Sequence, residues 1–297
     1  MLTVNAGSTS LKLCLVEEDD SRPVDGFEPA DAVGHRVVHG GPRYTEPVVI
    51  DDEVEEAIED LSRIAPLHNT PALRAIRQAR TALPDVPHVA VFDTAFHATI
   101  PPEAATYAIP RRWRDDWGVR RYGFHGIAVE SVAWQVETER LVVCHLGGGC
   151  SVTAVLNGRS VDTTMGFTPL EGVPMATRSG SVDPGALIYL LRERGLTVEE
   201  LDNALEHDSG LAALGGLEDE LGLSVYTYRI ACAAAQMAMA LGGIDVLAFS
   251  GGVGENRPEV RDAIVGRLGL LGKFDAKVVP AREDLVIAHA VRDLLAG

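Results

Sequence analysis

Short apolar runs recur along this chain, and several end in glycine or in small hydroxyl-bearing residues. Residues 141–144 are one such run and predict a buried strand; the run stops at His145, Leu146 and then Gly147, Gly148 and Gly149. An alternating run over 151–156 follows at once and ends at the turn dipeptide Asn157-Gly158. The start of the chain has the same form, with strands predicted over 2–5 and 11–16 around the small-residue turn 6–10. A third glycine element, the turn SGGVGEN at 250–256, follows a strand predicted over 246–249. Glycines at such turns let exposed backbone N–H groups approach a bulky anion. Three phosphate-sized loops in one chain point more firmly to a phosphorylated ligand than any one of them.

Between these loops the pattern alternates between strand and helix periods. Residues 17–29 form an acidic, proline-containing turn, and 32–39 predict a strand that carries Arg36. Val54, Ile58, Leu61 and Ile64 recur at helical spacing, so 51–64 is an amphipathic helix with an acidic first turn, stopped by Pro66. Thr70 and Pro71 suit the N-cap and first position of a second helix reaching about 83, which leaves His68 and Asn69 in the connection. A strand over 88–92 ends at Asp93, and 101–117 is irregular or weakly helical. His125 sits between Phe124 and Gly126, a setting for a specific loop pose, and a helix follows over 128–136.

The stretch 162–183 is long and aperiodic, the kind of connection that carries binding work when its apolar content excludes disorder. Within it Arg178, flanked by Thr177 and Ser179, is the strongest anion-binding candidate. Helices are predicted from Pro184 to about 193, stopped by Gly195, and from the capping box Thr197-x-x-Glu200. A Gly/Leu-rich connection, 209–223, leads to a helix over 224–241. Asn256 suits the cap of a helix to about 265. A short strand over 277–279 and a terminal helix over 284–295, with Ile287, Val291 and Leu294 on one face, close the chain. The repeated strand–turn–strand unit suggests two similar α/β halves with a ligand cleft between them.

Composition narrows the function classes. The 26 basic against 43 acidic residues of the 297 give a formal charge of −17, which argues against general nucleic-acid or anionic-membrane binding. Cys14, Cys144, Cys150 and Cys232 have no metal-ligand spacing and are expected to be buried, reduced thiols. No secretory or membrane-spanning segment is apparent, and the expected location is cytoplasmic. Taken alone, Arg36 suits a structural ion pair as well as a ligand contact, and Asp93 suits a turn cap as well as a catalytic or metal-binding acid.

The motifs NAGSTSLK (5–12), HRVVHGG (35–41), PLHN (66–69), DTAFH (93–97), RYGFHG (121–126), HLGGGCSV (145–152), the long stretch 162–184 and GGVGEN (251–256), with a late Glu283, run in one order over nearly the whole chain. In this set the chain resembles the acetate kinase family, within the superfamily of acetate and sugar kinases, heat-shock proteins and actin. The resemblance implies duplicated actin-like, ribonuclease H-like α/β domains with mixed five-stranded sheets and an interdomain active-site cleft. The domains would be 1–96 and 97–283, with the helix 284–297 packing back onto the first. It implies reversible phosphoryl transfer between ATP and acetate or a close short-chain carboxylate, with Mg2+, in a homodimer.

By motif, Asn5 and Glu283 resemble metal-placing residues. Arg36, Asp93, His125 and Arg178 resemble the catalytic set, and His68 a supporting histidine. Ser10, Lys12, His145, Gly147, Gly148, Gly149, Gly252, Gly254, Glu255 and Asn256 resemble the donor-phosphate and nucleotide contacts. The chemistry agrees: two anions must meet, and arginine forks, a histidine and backbone N–H groups stabilise the charge in transit.

The chain also departs from the family. It is shorter, with one loss before Arg36 and another after residue 211, where the family carries an Asp-Met-Arg motif beside adenosine. Gly148 replaces a usual Asn and Pro42 a usual Glu. These changes keep other donors open, among them another nucleotide, pyrophosphate or an acyl phosphate, as well as a catalytically weak, metabolite-binding or regulatory homologue.

Overall fold

The computed structural model describes residues 1–7, 11–62 and 66–297, with the backbone alone for 66–68. Ser10, Ile64 and the His68 side chain therefore lie outside the described residues. The strands are β1 (Leu2–Ala6), β2 (Leu11–Glu17), β3 (Asp20–Val24), β4 (Val33–Val37), β5 (Val48–Val49), β6 (His88–Phe92), β7 (Arg140–Leu146), β8 (Cys150–Leu156), β9 (Arg159–Thr163), β10 (Val246–Ser250) and β11 (Asp275–Val278). The helices are α1 (Asp52–Leu61), α2 (Pro66–Ala82), α3 (Pro102–Ala105), α4 (Arg111–Asp115), α5 (Gly126–Gln135), α6 (Pro184–Glu193), α7 (Val198–His207), α8 (Gly210–Ala213), α9 (Glu220–Ala240), α10 (Gly251–Asn256), α11 (Pro258–Arg267) and α12 (Glu283–Ala296).

The chain divides into two compact units. The first comprises Met1–Ala98, Phe124–Ser131 and Ala281–Gly297; the second comprises Thr99–Gly123 and Val132–Pro280.

In the first unit the strand order is β3-β2-β1-β4-β6-β5. The first three strands are antiparallel, while β1, β4 and β6 are parallel. Every residue of β6 (HVAVF) is buried, as expected for a central strand covered on both faces. On one face Ala72, Ala75 and Ala79 of α2 pack on Leu2, Val4 and Val33. On the other, α12 brings Val286, Ile287 and Val291 against Val89 and Val91. The approach of α12 requires Gly34, since a Cβ there would lie 2.5 Å from the Ile287 Cγ2. Each large aliphatic side chain buried in these layers contributes roughly 1.5–3 kcal/mol.

The second unit orders its strands β11-β10-β7-β8-β9. Here β7, β8 and β9 are antiparallel, and β7, β10 and β11 are parallel. The first five positions of the other sheet, β3-β2-β1-β4-β6, follow the same plan, so the duplication expected from sequence is present. The first sheet departs from five strands by the two-residue β5, which pairs antiparallel with β6.

Other local expectations need correction. The acidic turn 17–29 contains β3, whose pairing with β2 supplies the order that its sequence does not advertise. The second helix starts at Pro66, and Pro71 lies inside it. Proline suits a first helical position, and an interior one removes a single backbone hydrogen bond. Within SGGVGEN, Ser250 ends β10 and helix α10 follows directly, and α11 starts at Pro258 without a side-chain cap from Asn256. The aperiodic stretch begins inside β9, and α9 begins at Glu220 because the Asp219 carboxylate accepts from the N–H groups of Leu221 and Gly222. Cys144 and Cys150 are buried, but Cys232 is exposed on α9 and Cys14 only half-buried. The Thr197–Glu200 capping box is present in full.

Candidate functional site

In the first unit, Asn5 is the penultimate residue of β1, Arg36 lies on β4 and Asp93 follows β6, so the parallel strands bring all three to neighbouring positions. The Arg36 Nε donates to Asp93 Oδ1 at 3.0 Å and its Nη2 to Oδ2 at 2.5 Å. Its Nη1 donates to Asn5 Oδ1 at 3.1 Å. The Asn5 amide in turn donates to the Glu283 carboxylate at the start of α12. Burial opposes the Arg36 cation, but Asp93 and Glu283 outweigh it and hold the guanidinium charged. Burial also pushes the wholly buried Asp93 carboxyl up, against the pull of Arg36; a backbone hydrogen bond from His125 also favours the anion.

His125 adopts φ +60°. That left-handed pose is held from both sides. The Gly126 N–H donates to the Asp93 carbonyl at 3.0 Å, and His97 Nε2 bonds the Phe124 carbonyl at 3.0 Å. Any side chain at residue 126 would meet the Asp93 carbonyl, 2.0 Å from an ideal Cβ. The HGG turn is fixed as well. The Asn69 side chain accepts from the His39 N–H and donates to the His39 carbonyl, while Thr94 Oγ1 accepts from the Gly40 N–H. Asn69 thus braces this turn from within α2, rather than lying in a connection. Lys12 is exposed on β2 directly opposite Asn5. A groove of about 620 Å³ between α1 and α2, lined by Leu73, Arg74, Arg77 and Gln78, contains none of these groups.

In the second unit, β7 and β10 are parallel neighbours with His145 opposite Ser250, so their glycine loops leave the sheet side by side. His145 Nδ1 lies 3.3 Å from Ser250 Oγ. The Gly147 N–H turns back to the Gly149 carbonyl at 3.0 Å, closing the loop. Gly251 has φ +78°, and a Cβ there would sit 2.6 Å from the Leu146 carbonyl. By contrast, Cβ atoms at Gly148 and Gly252 would meet nothing within 4 Å. Glu255 accepts from the Gly251 N–H at 2.9 Å and so caps its own helix, in which Gly254 is buried; Asn256 donates to the Gly252 carbonyl.

Arg178 is placed beside this loop: the Ala176 N–H donates to the Gly148 carbonyl at 3.3 Å, two residues away. Its Nη1 donates to the Pro169 carbonyl at 3.0 Å and its Nε faces Glu206 Oε2 at 3.7 Å. Burial pulls the Arg178 pKa down, and Glu206 opposes that shift. Sequence reasoning missed Glu206, which sits on an otherwise exposed helix with no motif to mark it. Cys150 follows the loop with its thiol 3.1 Å from the Tyr226 hydroxyl, and burial raises its pKa.

A set of at least three His, Cys, Asp or Glu side chains arranged to hold a metal is absent among the described residues. Mg2+ commonly uses one or two carboxylates plus substrate phosphate. The Glu283 carboxylate and the Asn5 amide fit that mode.

A repeated β3-β2-β1-β4-β6 strand plan, with polar groups gathered at strand ends, defines an actin-like phosphotransferase class of fold. A solved propionate kinase from Francisella tularensis superposes with TM-score 0.90 at 30% identity, covering 97% of this chain and 98% of that one. The acetate kinase of Porphyromonas gingivalis gives TM-score 0.88 at 29% identity, covering 99% of each chain. An acetate kinase from Nostoc punctiforme is 45% identical over 281 residues, 86% of this chain and 69% of its own length. Residues 21–289 match the Acetokinase family, and the chain belongs to that family. It is an enzyme of the phosphotransferase type that the motif resemblance implied.

Proposed function

We propose that the protein transfers a phosphoryl group reversibly between ATP and acetate or another short-chain carboxylate, by direct in-line transfer. The observation that carries this reading is the Arg36 guanidinium. Its Nε and one Nη2 hydrogen bond Asp93, and one Nη1 hydrogen bonds Asn5. Of its five N–H groups, these three bonds use one each on Nε, Nη1 and Nη2, and the second N–H on each Nη is the kind of donor that suits a carboxylate or phosphate.

A carboxylate is ionised at neutral pH, so the reaction needs no general base; its difficulty is the meeting of two anions. Arg36 and Arg178 would bind the carboxylate and the phosphoryl group in transit, with His125 donating to that group. Asp93 keeps Arg36 charged and aimed. His145 and the loop around Gly148 and Gly252 would receive the donor phosphates. Asn5 and Glu283 would hold Mg2+, which would supply positive charge to offset that of the phosphates.

A second reading keeps the chemistry and changes the donor. Only residues 214–219 separate α8 from α9, where the resemblance places the adenosine-side segment, so pyrophosphate or another phosphoryl donor is the alternative to ATP. A homodimer and a cytoplasmic location belong to the proposal through the family. No helix among the described residues is long and apolar enough to cross a membrane. A matrix of carboxylates against donors with Mg2+, trapping acyl phosphate as hydroxamate, tests the proposal. Turnover of acetate with ATP is expected; absence of turnover throughout the matrix would defeat it.

A further inference from the structure

The stretch after β9 has no regular element through residue 183, yet it carries Arg178. What orders it is a part-buried polar cluster within the second unit. Arg121 donates through Nη1 to the carbonyls of Thr164 and Met165, both at 2.9 Å, and through Nη2 to Glu171 Oε1 at 2.9 Å. The Tyr107 hydroxyl donates to the other Glu171 oxygen and accepts from the Phe167 N–H at 3.0 Å. The Arg121 guanidinium also lies over the Tyr107 ring, 5.7 Å from its centroid.

Backbone bonds close the same cluster: the Tyr122 N–H donates to the Gly166 carbonyl at 3.0 Å. Gly166 leaves room for these side chains, since a Cβ there would fall 1.7 Å from Glu171 Oε2 and 2.1 Å from the Tyr107 oxygen and would displace them. The segment so pinned, 164–171, includes Pro169, whose carbonyl accepts from Arg178 Nη1.

We propose that Glu171, clamped by Arg121 and Tyr107, is the positioning residue for Arg178, acting through the Pro169 carbonyl. Glu206 holds the Nε side of the guanidinium, while the clamp fixes the Nη1 side. Two supports on different edges define the plane of a guanidinium, and a planar fork binds an anion well only when its plane is set. An aperiodic loop cannot set it through a helix or strand ladder, so the part-buried ion pair between Arg121 and Glu171 supplies the rigidity. The role of Arg178 in transfer rests on the function proposed above; the positioning of its guanidinium does not.

The experiment uses the full-length protein with Glu171→Gln and Tyr107→Phe, each verified as folded by circular dichroism and thermal melting. Arg178 reactivity with phenylglyoxal is read by peptide mass mapping against Arg111, whose side chain is 86% exposed, as internal reference. Relative labelling of Arg178 should rise at least about threefold in Glu171→Gln, with a smaller rise in Tyr107→Phe, as the fork loses one of its two supports. In the hydroxamate assay the KM for acetate should rise and kcat fall, with the KM for ATP unchanged; general loosening would raise both KM values. Wild-type Arg178 labelling in both folded variants overturns the proposal, and Tyr107→Phe alone decides it should Glu171→Gln fail to fold. If the parent enzyme shows no turnover, the proposed function fails while the labelling result still decides the positioning.

Discussion

Arg36 and Asp93 are joined edge to edge, with Nε on Oδ1 at 3.0 Å and Nη2 on Oδ2 at 2.5 Å, and the Asp93 side chain has no exposed surface. A carboxylate so placed cannot also meet a substrate. Its work is to fix the guanidinium; the sequence alone left Arg36 open between an ion pair and a ligand contact, and Asp93 between a turn cap and a catalytic or metal-binding acid. They are an ion pair, and Arg36 is a proposed ligand contact as well.

Asp93→Asn should therefore impair catalysis through Arg36. Losing one transition-state contact of this type costs about 3–4 kcal/mol, or about 10²–10³ in kcat. Removing one member of a buried pair also destabilises by about 3–5 kcal/mol. Hydroxamate kinetics and thermal melting check both effects. Arg36→Lys should also lose most activity, because an ammonium cannot hold Asp93 and present a second fork. Near-wild-type kcat/KM in either variant would contradict this account.

His35 lies on the other side of β4 from Arg36 and is wholly buried, 2.9 Å from His88 Nδ1 through its Nε2. His88 Nε2 donates to the Leu83 carbonyl, so its Nδ1 must accept and His35 Nε2 must donate. Burial, then His88, lowers the His35 pKa to about 3. The folded state keeps His35 neutral where the unfolded chain already protonates. This stability is complete above pH about 6.5 and is lost as pH falls toward about 3, at roughly 1.4 kcal/mol per pH unit. His88, lowered by burial, acts in the same direction. Melting temperatures between pH 7 and pH 5 should fall more steeply for the wild type than for His35→Gln, which keeps a donor and does not titrate. Parallel slopes would rule the histidine pair out as their source.

Much of the architecture was legible because periodicity and local chemistry agreed. The continuous apolar run at 88–92 is β6 to the residue, and the Thr197–Glu200 signature is a complete capping box. Expectations failed where tertiary contacts decided. DSRPV has no strand pattern and becomes β3 through pairing with β2. Asn69 reads as part of a connection and instead lies in α2 and bonds both backbone groups of His39, thirty positions away in the chain. The candidate site was legible residue by residue through its motifs, but its supports were not. Glu206 carries no motif, Glu171 is one unmarked position inside the long stretch 162–184, and only the folded loop brings them to Arg178 or to its neighbours.

The glycine loops separate two reasons for the same residue. Gly251 has φ +78°, and a Cβ there would lie 2.6 Å from a carbonyl oxygen. Gly251→Ala should destabilise the fold by more than about 1 kcal/mol, through strain and steric contact together. Gly148 and Gly252 have open space where a Cβ would be. Alanine at either should leave the melting temperature unchanged and raise the KM for the phosphoryl donor, because the methyl group projects into the space proposed for its phosphates. Unchanged donor KM in both variants would remove these loops from the proposed donor site.

Metal dependence tests the other end of the Arg36 network. Glu283 opens α12, accepts from Asn5 and contributes to holding Arg36 charged. If it also helps to place Mg2+, chelation should abolish turnover and restored Mg2+ should recover it. Glu283→Gln removes the negative charge while keeping an oxygen that can accept from Asn5, so it separates electrostatics from packing. Hard divalent cations favour anionic oxygen, and losing one such ligand should raise the Mg2+ concentration for half-maximal activity by about tenfold. The KM for acetate should change less, since Asp93 still fixes Arg36. A Glu283→Gln enzyme with wild-type Mg2+ dependence and lowered activity would place Glu283 solely in the Asn5–Arg36 hydrogen-bond network.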